Sequence, residues 1–290
     1  YDIVFGDWSS YVCSSDLWVA SIALCDATAG TYYVANTNAT GSAVVYVHAT
    51  GGASPSINGK VYEVAKRSSG IYGANSWSVS GIRTRRSLSS NGSLVVLDNC
   101  LVANCIAEDG TKHNMFIGKN SIAEDCIAFN ADWPDRSNST MFVGYTSNGV
   151  GGTVTFARCI ASLPIAVGEA ARALSKDVAG FYCHTSGDGS RWGTVTYEDC
   201  AVYGCSTAYS VVNTTNYIET RCKSSGVNLG SKVGALISTM IDPYVKALPG
   251  QVHGSAIENV SDVAITIDGL RHYSLDGSNR GSVYIIGTSV

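Results

Sequence analysis

The sequence predicts an all-β solenoid, one chain winding through stacked units of short parallel strands. Three observations carry this expectation: a cysteine-centred phrase that recurs, an apolar phrase that alternates with it, and a composition suited to frequent turns. The first phrase reads NCIAED around Cys105, EDCIAF around Cys126, ARCIAS around Cys159, EDCAVY around Cys200 and TRCKSS around Cys222. The intervals of 21, 33, 41 and 22 residues describe a unit of about 21 residues with insertions in the middle copies. The second phrase reads NMFIGK at 114–119, TMFVGY at 140–145, GFYCHT at 180–185, AYSVV at 208–212 and ALIST at 235–239, with Phe116, Phe142, Phe181, Tyr209 and Leu236 as equivalent positions. A unit this small cannot bury its own apolar side, so neighbouring units must stack and like positions must form inward columns.

Composition narrows the class. The 290 residues include 31 glycines, 5 prolines and 16 tyrosines, and 45% are apolar against 14% charged, with a net charge of -4. That charge excludes an electrostatic match to nucleic acid, so no nucleic-acid partner is expected. No apolar run reaches the ~18 residues of a membrane span.

The elements follow in order. Residues 1–17 are set aside, because Val12-Cys13-Ser14-Ser15-Asp16-Leu17 resembles the translation of a short-read sequencing adaptor. Residues 18–75 are expected to form an N-terminal cap and the first coils, with strands at Val44–Val47 and Val61–Val64. Residues 76–242 form the solenoid body, entered through strands within Trp77–Ile82 and Ser93–Leu97. Within it, Thr153-Val154-Thr155-Phe156 and Thr194-Val195-Thr196-Tyr197 alternate polar and apolar, as half-buried strands do. The odd spacing from Phe156 to Cys159 breaks the period of two and predicts a corner, with Asp125, Arg158 and Asp199 at the bend. Ile165–Val178 is the single stretch with helix-forming composition, a short helix inserted in a loop. Residues 243–290 supply further coils or a capping sheet, with strands in Ala256–Val260, Val263–Ile267 and Ser282–Ile286.

These columns and variable loops resemble the single-stranded right-handed parallel β-helix proteins of pectate-lyase-like architecture, over roughly residues 75–230. The resemblance is to an architecture and not to one family, since no complete catalytic motif can be matched. It implies inward ladders of aliphatic, cysteine and aromatic side chains. The ten cysteines include no Cys-x-x-Cys spacing, so the five in equivalent slots are expected to be free, buried packing residues.

Chemistry is expected on the loops. Glu108–Asn114, Asn130–Thr140 and Ser162–Ala179 lie on one side of stacked coils, bringing together Lys112, His113, Trp133, Asp135, Arg136, Glu169, Arg172 and Lys176. Cations hold sugar carboxylates, an indole stacks on a pyranose ring, and a basic group can take a proton alpha to a carboxylate. A second loop gathers His184, Asp188, Arg191 and Trp192. Asp132, Asp135, Arg136 and His184 are the candidate catalytic residues, and Lys112, His113, Trp133, Asp188, Arg191 and Trp192 the candidate substrate contacts. Gly187-Asp188-Gly189 is an ordinary tight turn without the carboxylate spacing of a calcium loop, so no metal or cofactor is assigned, Ca²⁺ being the one alternative. The resemblance adds two chemistries: lyases of this architecture combine Ca²⁺-binding acids with an Arg or Lys base, and its hydrolases use clustered aspartates. The expected function is binding of an extracellular acidic polysaccharide by a secreted or cell-surface protein, with cleavage by a lyase or hydrolase left open. The alternatives are a non-catalytic adhesive glycan-binding module and a structural solenoid of a virion fibre or tail spike. No phosphate-binding glycine loop, HExxH or GxSxG is present, which removes nucleotide, metalloprotease and α/β-hydrolase readings.

Overall fold

The computed structural model describes residues 17–18, 21–29, 31–36, 43–48, 69–85, 87, 91–110, 112–130, 139–146, 151–164, 178–186, 189–227, 229–247, 255–260, 265–274 and 285–286. The chain divides into two compact units, residues 1–64 and 65–290. In the first unit, β1 (Leu17–Trp18) runs parallel to β2 (Thr31–Asn36), and β2 pairs antiparallel with β3 (Ala43–His48). Between β1 and β2 lies α1 (Ile22–Ala27), where the sequence reading placed no helix. Its start is set by Ser21, whose hydroxyl accepts the Leu24 N–H at 3.2 Å.

The second unit is a succession of circuits, each adding one strand to each of three parallel ladders. The first circuit is β4 (Ile71–Tyr72), β5 (Ser78–Ser80) and β6 (Arg83–Arg85); the second is β7 (Leu94–Val96), β8 (Leu101–Ala103) and β9 (Ile106–Glu108). The third is β10 (His113–Ile117), β11 (Ser121–Glu124) and β12 (Ile127–Phe129), and the fourth β13 (Ser139–Thr146), β14 (Thr153–Ala157) and β15 (Ile160–Ser162). The fifth is β16 (Val178–Thr185), β17 (Trp192–Glu198) and β18 (Ala201–Tyr203). In the sixth and seventh, single strands β19 (Thr207–Thr220) and β21 (Leu229–Ile241) run through ladders one and two, and β20 (Lys223–Ser225) and β22 (Tyr244–Ala247) complete ladder three. The eighth is β23 (Ser255–Asn259), β24 (Ile265–Asp268) and β25 (Arg271–Ser274), and β26 (Ile285–Ile286) pairs with β23. Every pairing within this unit is parallel, so consecutive circuits stack in the same direction.

The corner between ladders two and three shows how the sequence specifies the fold. Gly81, Asn104, Asp125, Arg158, Asp199, Arg221, Asp242 and Gly269 occupy it in successive circuits, all at φ between 49° and 72°. This left-handed conformation suits Gly, Asn and Asp and strains Arg by about 1 kcal/mol or more. Compensation comes from the next circuit, where the N–H groups of the corners from Gly81 to Asp242 find acceptors; Arg158 N–H, for example, donates to the Glu198 carbonyl at 2.8 Å. Charges alternate along the column, and Arg158 grips both oxygens of Asp125 at 2.8 Å, as Arg221 does those of Asp199 at 2.8 and 2.7 Å. These exposed pairs set register more than stability.

Just past the corner stand Cys105, Cys126, Cys159, Cys200 and Cys222, fully buried and free, stacked as the repeats predict. The thiols of Cys126, Cys159 and Cys200 reach back to carbonyls of the preceding circuit, Val102, Ala123 and Phe156, at 3.6, 3.4 and 3.3 Å. Each thus fills a small inward slot and also finds an acceptor, which an alanine would not use.

The aromatic column corrects the sequence reading at two positions. Leu94, Met115, Phe142, Phe181, Tyr209 and Ser231 stand in register along ladder one. Phe116 therefore pairs with Val143 and lies on the other face, because a slip of one residue exchanges the faces of a strand. Leu236 is exposed and falls outside the column, since β21 passes a register shift opposite Val211 and Thr214 before reaching it. Phe142 stacks on Phe181 with ring centroids 4.7 Å apart, and Phe181 on Tyr209 at 5.4 Å. Opposite them, the inward positions of ladder three include Ala107, Ala128 and Ala161 in register, small residues facing large ones across the core. The strand expected at Val61–Val64 and the helix expected over residues 165–177 lie outside the described residues; Val178 opens β16.

Candidate functional site

The outer face of ladder one in the third to fifth circuits carries a group of half-buried rings. Phe116 lies 5.6 Å from Tyr145, Tyr145 5.0 Å from His184 edge-on, and Tyr182 stacks on His184 at 4.7 Å and 15°. Strand alternation explains the set: Phe181, Cys183 and Thr185 are buried, which turns Tyr182 and His184 to the other face, and the pairing of Tyr145 with His184 continues the row into the neighbouring circuit.

Chain order brackets this face with insertions. Lys112 and residues 131–138 and 165–177 lead into β10, β13 and β16, while residues 147–150 and 187–188 follow β13 and β16. Of the sequence-derived candidates, Asp132, Trp133, Asp135, Arg136 and Asp188, together with Glu169, Arg172 and Lys176, lie outside the described residues.

Three candidates come together. The positive charge of Lys112 acts on both His113 and His184, and His184 acts on His113. Burial holds the His184 imidazole below its ordinary range, helped by Lys112 and opposed by the Thr185 carbonyl, so it is neutral at pH 7 and able to accept a proton. His113 is more deeply placed: burial, then Lys112, then His184 push it down to about 3, and its Nδ1 shares a hydrogen bond with the Thr140 hydroxyl. A neutral, buried His113 shapes the start of β10 and presents no surface for direct substrate contact, which corrects its expected role.

Trp192 is a second correction. Its side chain is fully buried and its Nε1–H donates to the His184 carbonyl at 3.2 Å. A ring inside the core cannot stack on an external sugar. What it does is tie the start of β17 to the end of β16, fixing the backbone at His184. Arg191 is half-buried beside it, its carbonyl accepting the Gly151 N–H at 2.9 Å.

The sequence reading missed Phe116, Tyr145 and Tyr182 as outward groups. The signal was present in the aligned phrases TMFVGYT and AGFYCHT, where matching Phe142 with Phe181 sets Tyr145 opposite His184 and Val143 opposite Tyr182. Among the described residues no group of three or more His, Cys, Asp or Glu side chains is placed to hold a metal ion. No helix among them is long and apolar enough to cross a membrane. Comparison with protein-family models, with curated proteins and with solved structures returns no match to this chain.

The arrangement offers ring surfaces for stacking, a cation at their edge and a neutral imidazole within the same group. Together these are suited to an amphipathic, hydroxyl-rich ligand bearing negative charge.

Proposed function

We propose that the second unit is a single-stranded right-handed parallel β-helix, and that it binds an extracellular acidic polysaccharide along the outer face of ladder one. The handedness rests on the strong preference of parallel crossover connections for the right-handed sense. The observation that carries the functional reading is the row Phe116, Tyr145, His184 and Tyr182, with the charge of Lys112 acting on His184. Rings supply stacking area, Lys112 meets a sugar carboxylate, and Arg136 and Trp133 on the 131–138 segment add a bidentate donor and an indole. Cleavage extends this reading: His184, neutral at pH 7, takes the proton alpha to a uronate carboxylate, or Asp132 and Asp135 act as the acid pair of a hydrolase. Secretion or display at a cell surface accompanies such a ligand.

The test is a screen of uronate-containing and neutral glycans against the wild-type chain, Tyr145→Ala, Lys112→Ala and Arg136→Ala. Binding of uronate polymers that weakens with salt and falls in all three variants supports the reading. An unsaturated product absorbing in the ultraviolet identifies a lyase, a new reducing end without it a hydrolase, and binding without turnover an adhesive module. A wild-type chain that neither binds nor cleaves any of them overturns it in favour of a structural solenoid.

A further inference from the structure

The inward column of ladder one passes from Met115 through Phe142, Phe181 and Tyr209 and then narrows to Ser231 before Ile257. Beside this small residue lies the carboxyl group of Glu219, fully buried in the core. Its Oε2 accepts hydrogen bonds from the Tyr217 hydroxyl and, at 2.7 Å, from the Ser231 hydroxyl. Tyr217 and Glu219 belong to β19 in the sixth circuit and Ser231 to β21 in the seventh, so the carboxyl bridges two circuits.

The groups around it are acidic or neutral on every side. Tyr197 of β17 and Met240 of β21 flank Glu219 in register, Tyr209 and Tyr217 come from its own strand, and Cys200 and Cys222 line the adjoining corner. Among the described residues no cation acts on the carboxyl: burial opposes its ionisation and the two hydroxyls favour it. A buried charge without a cationic partner is among the most costly features a core can contain. Separation of the seventh circuit from the sixth would expose Glu219 to water and remove that cost.

We infer that Glu219 makes the docking of the C-terminal circuits proton-dependent, neutral while the sixth and seventh circuits are closed and ionised when they part. Burial pushes its pKa from the ordinary 4.5 up to about 7. The closed state therefore holds the proton more tightly than the open one. Its closure is complete below the ordinary carboxyl range, weakens as pH rises towards neutrality, and levels off above. One proton linked to opening changes the opening equilibrium by at most about tenfold per pH unit inside that window.

Hydrogen exchange of the full chain, corrected for intrinsic rates and read by peptide between pH 5 and 8, tests this. Peptides covering β21 and β22 should open several-fold to tenfold more readily per pH unit from pH 5 to 7, while Glu219→Gln should flatten that dependence and leave β7 to β12 unaltered. A wild-type chain whose β21 protection ignores pH overturns the inference, as does a Glu219→Gln chain that keeps the wild-type slope. Should Glu219→Gln fail to fold, Ser231→Ala keeps the carboxyl and removes one hydroxyl that favours ionisation. The window must then move to higher pH, and an unmoved window is equally fatal.

Discussion

His113→Gln separates two opposing proton linkages that the fold places in one pH range. His113 is buried with Thr140, its pKa pushed from 6.5 down to about 3. A histidine depressed in the folded state contributes stability above its ordinary pKa and loses it as pH falls towards the folded value. At about 1.4 kcal/mol per unit, the loss is about 2–3 kcal/mol between pH 6.5 and 4.5 and about 4 kcal/mol by pH 3. Glu219 has the opposite sign: raised from 4.5 to about 7, it contributes stability at low pH and loses about 3 kcal/mol as pH rises across that interval. The wild type should therefore change little between about pH 4.5 and 6.5, because the two contributions offset one another. His113→Gln cannot titrate and should gain stability on acidification over the same range. Urea denaturation followed by tryptophan fluorescence at half-unit steps measures it. Comparing the two proteins at each pH removes the exposed carboxylates common to both, including Asp125 and Asp199, which their arginine partners hold below the ordinary range. The gap between wild type and variant must shrink by about 2–3 kcal/mol from pH 6.5 to 4.5. Parallel stability curves would show that His113 is not buried as a neutral group and would refute the reasoning.

Gly144→Ala should destabilise the protein, since an added Cβ would stand 2.5 Å from the buried Cys183 Sγ; Cys183→Ala in the same chain should recover much of the loss, a non-additivity read from a double-mutant cycle. Phe181→Ala removes a ring packed against Phe142, Phe156, Tyr197 and Tyr209 and should cost about 3–5 kcal/mol in denaturant unfolding, whereas Tyr203→Ala, at an exposed position, should stay within about 0.5 kcal/mol. Cys159→Ser should lose about 1–3 kcal/mol through a poorly satisfied hydroxyl and a smaller atom in a tight slot. In the native chain, alkylating reagents should leave the five stacked thiols unmodified until denaturant is added.

The repeating inward features were legible because identical circuits impose identical demands. In the second to sixth circuits a thiol-sized slot follows the left-handed corner, so Cys recurs there with Asn, Asp or Arg before it, and both patterns survive insertions of varied length. Register in ladder one was harder to read. Aligning NMFIGK with TMFVGY matches Phe116 to Phe142, yet the strands pair Met115 with Phe142, because two adjacent bulky residues fit either face and hydrogen bonding decides. In the sixth and seventh circuits β19 and β21 run through both ladders and pair with a register shift, and counting residues from the phrase to Leu236 crosses that shift unseen. Trp192 misled for a related reason. A Trp beside Arg191 in a polar segment looks like a surface platform, and the alternation of Thr194-Val195-Thr196-Tyr197 carried back would also turn it outward; the buried Trp192 breaks that period across Gly193 and Thr194.

The contrast between the two faces of ladder one says more about where to look for a ligand than any single residue does. Inward positions stack on near-copies of themselves and are confined to a narrow range of size, hence Phe142, Phe181 and Tyr209 in sequence. On the opposite face the register runs Val95, Phe116, Val143, Tyr182, Ser210 and Lys232, changing character at every step. Val95 and Val143 on this face are fully buried, and rings concentrate around Val143. They do so in the third to fifth circuits, where chain insertions enter and leave the ladder, and Tyr145 and His184 enlarge the group two residues further on. Trp192 then anchors the His184 backbone from inside the core. A titratable imidazole held between two phenols makes this face the place to test for ligand binding.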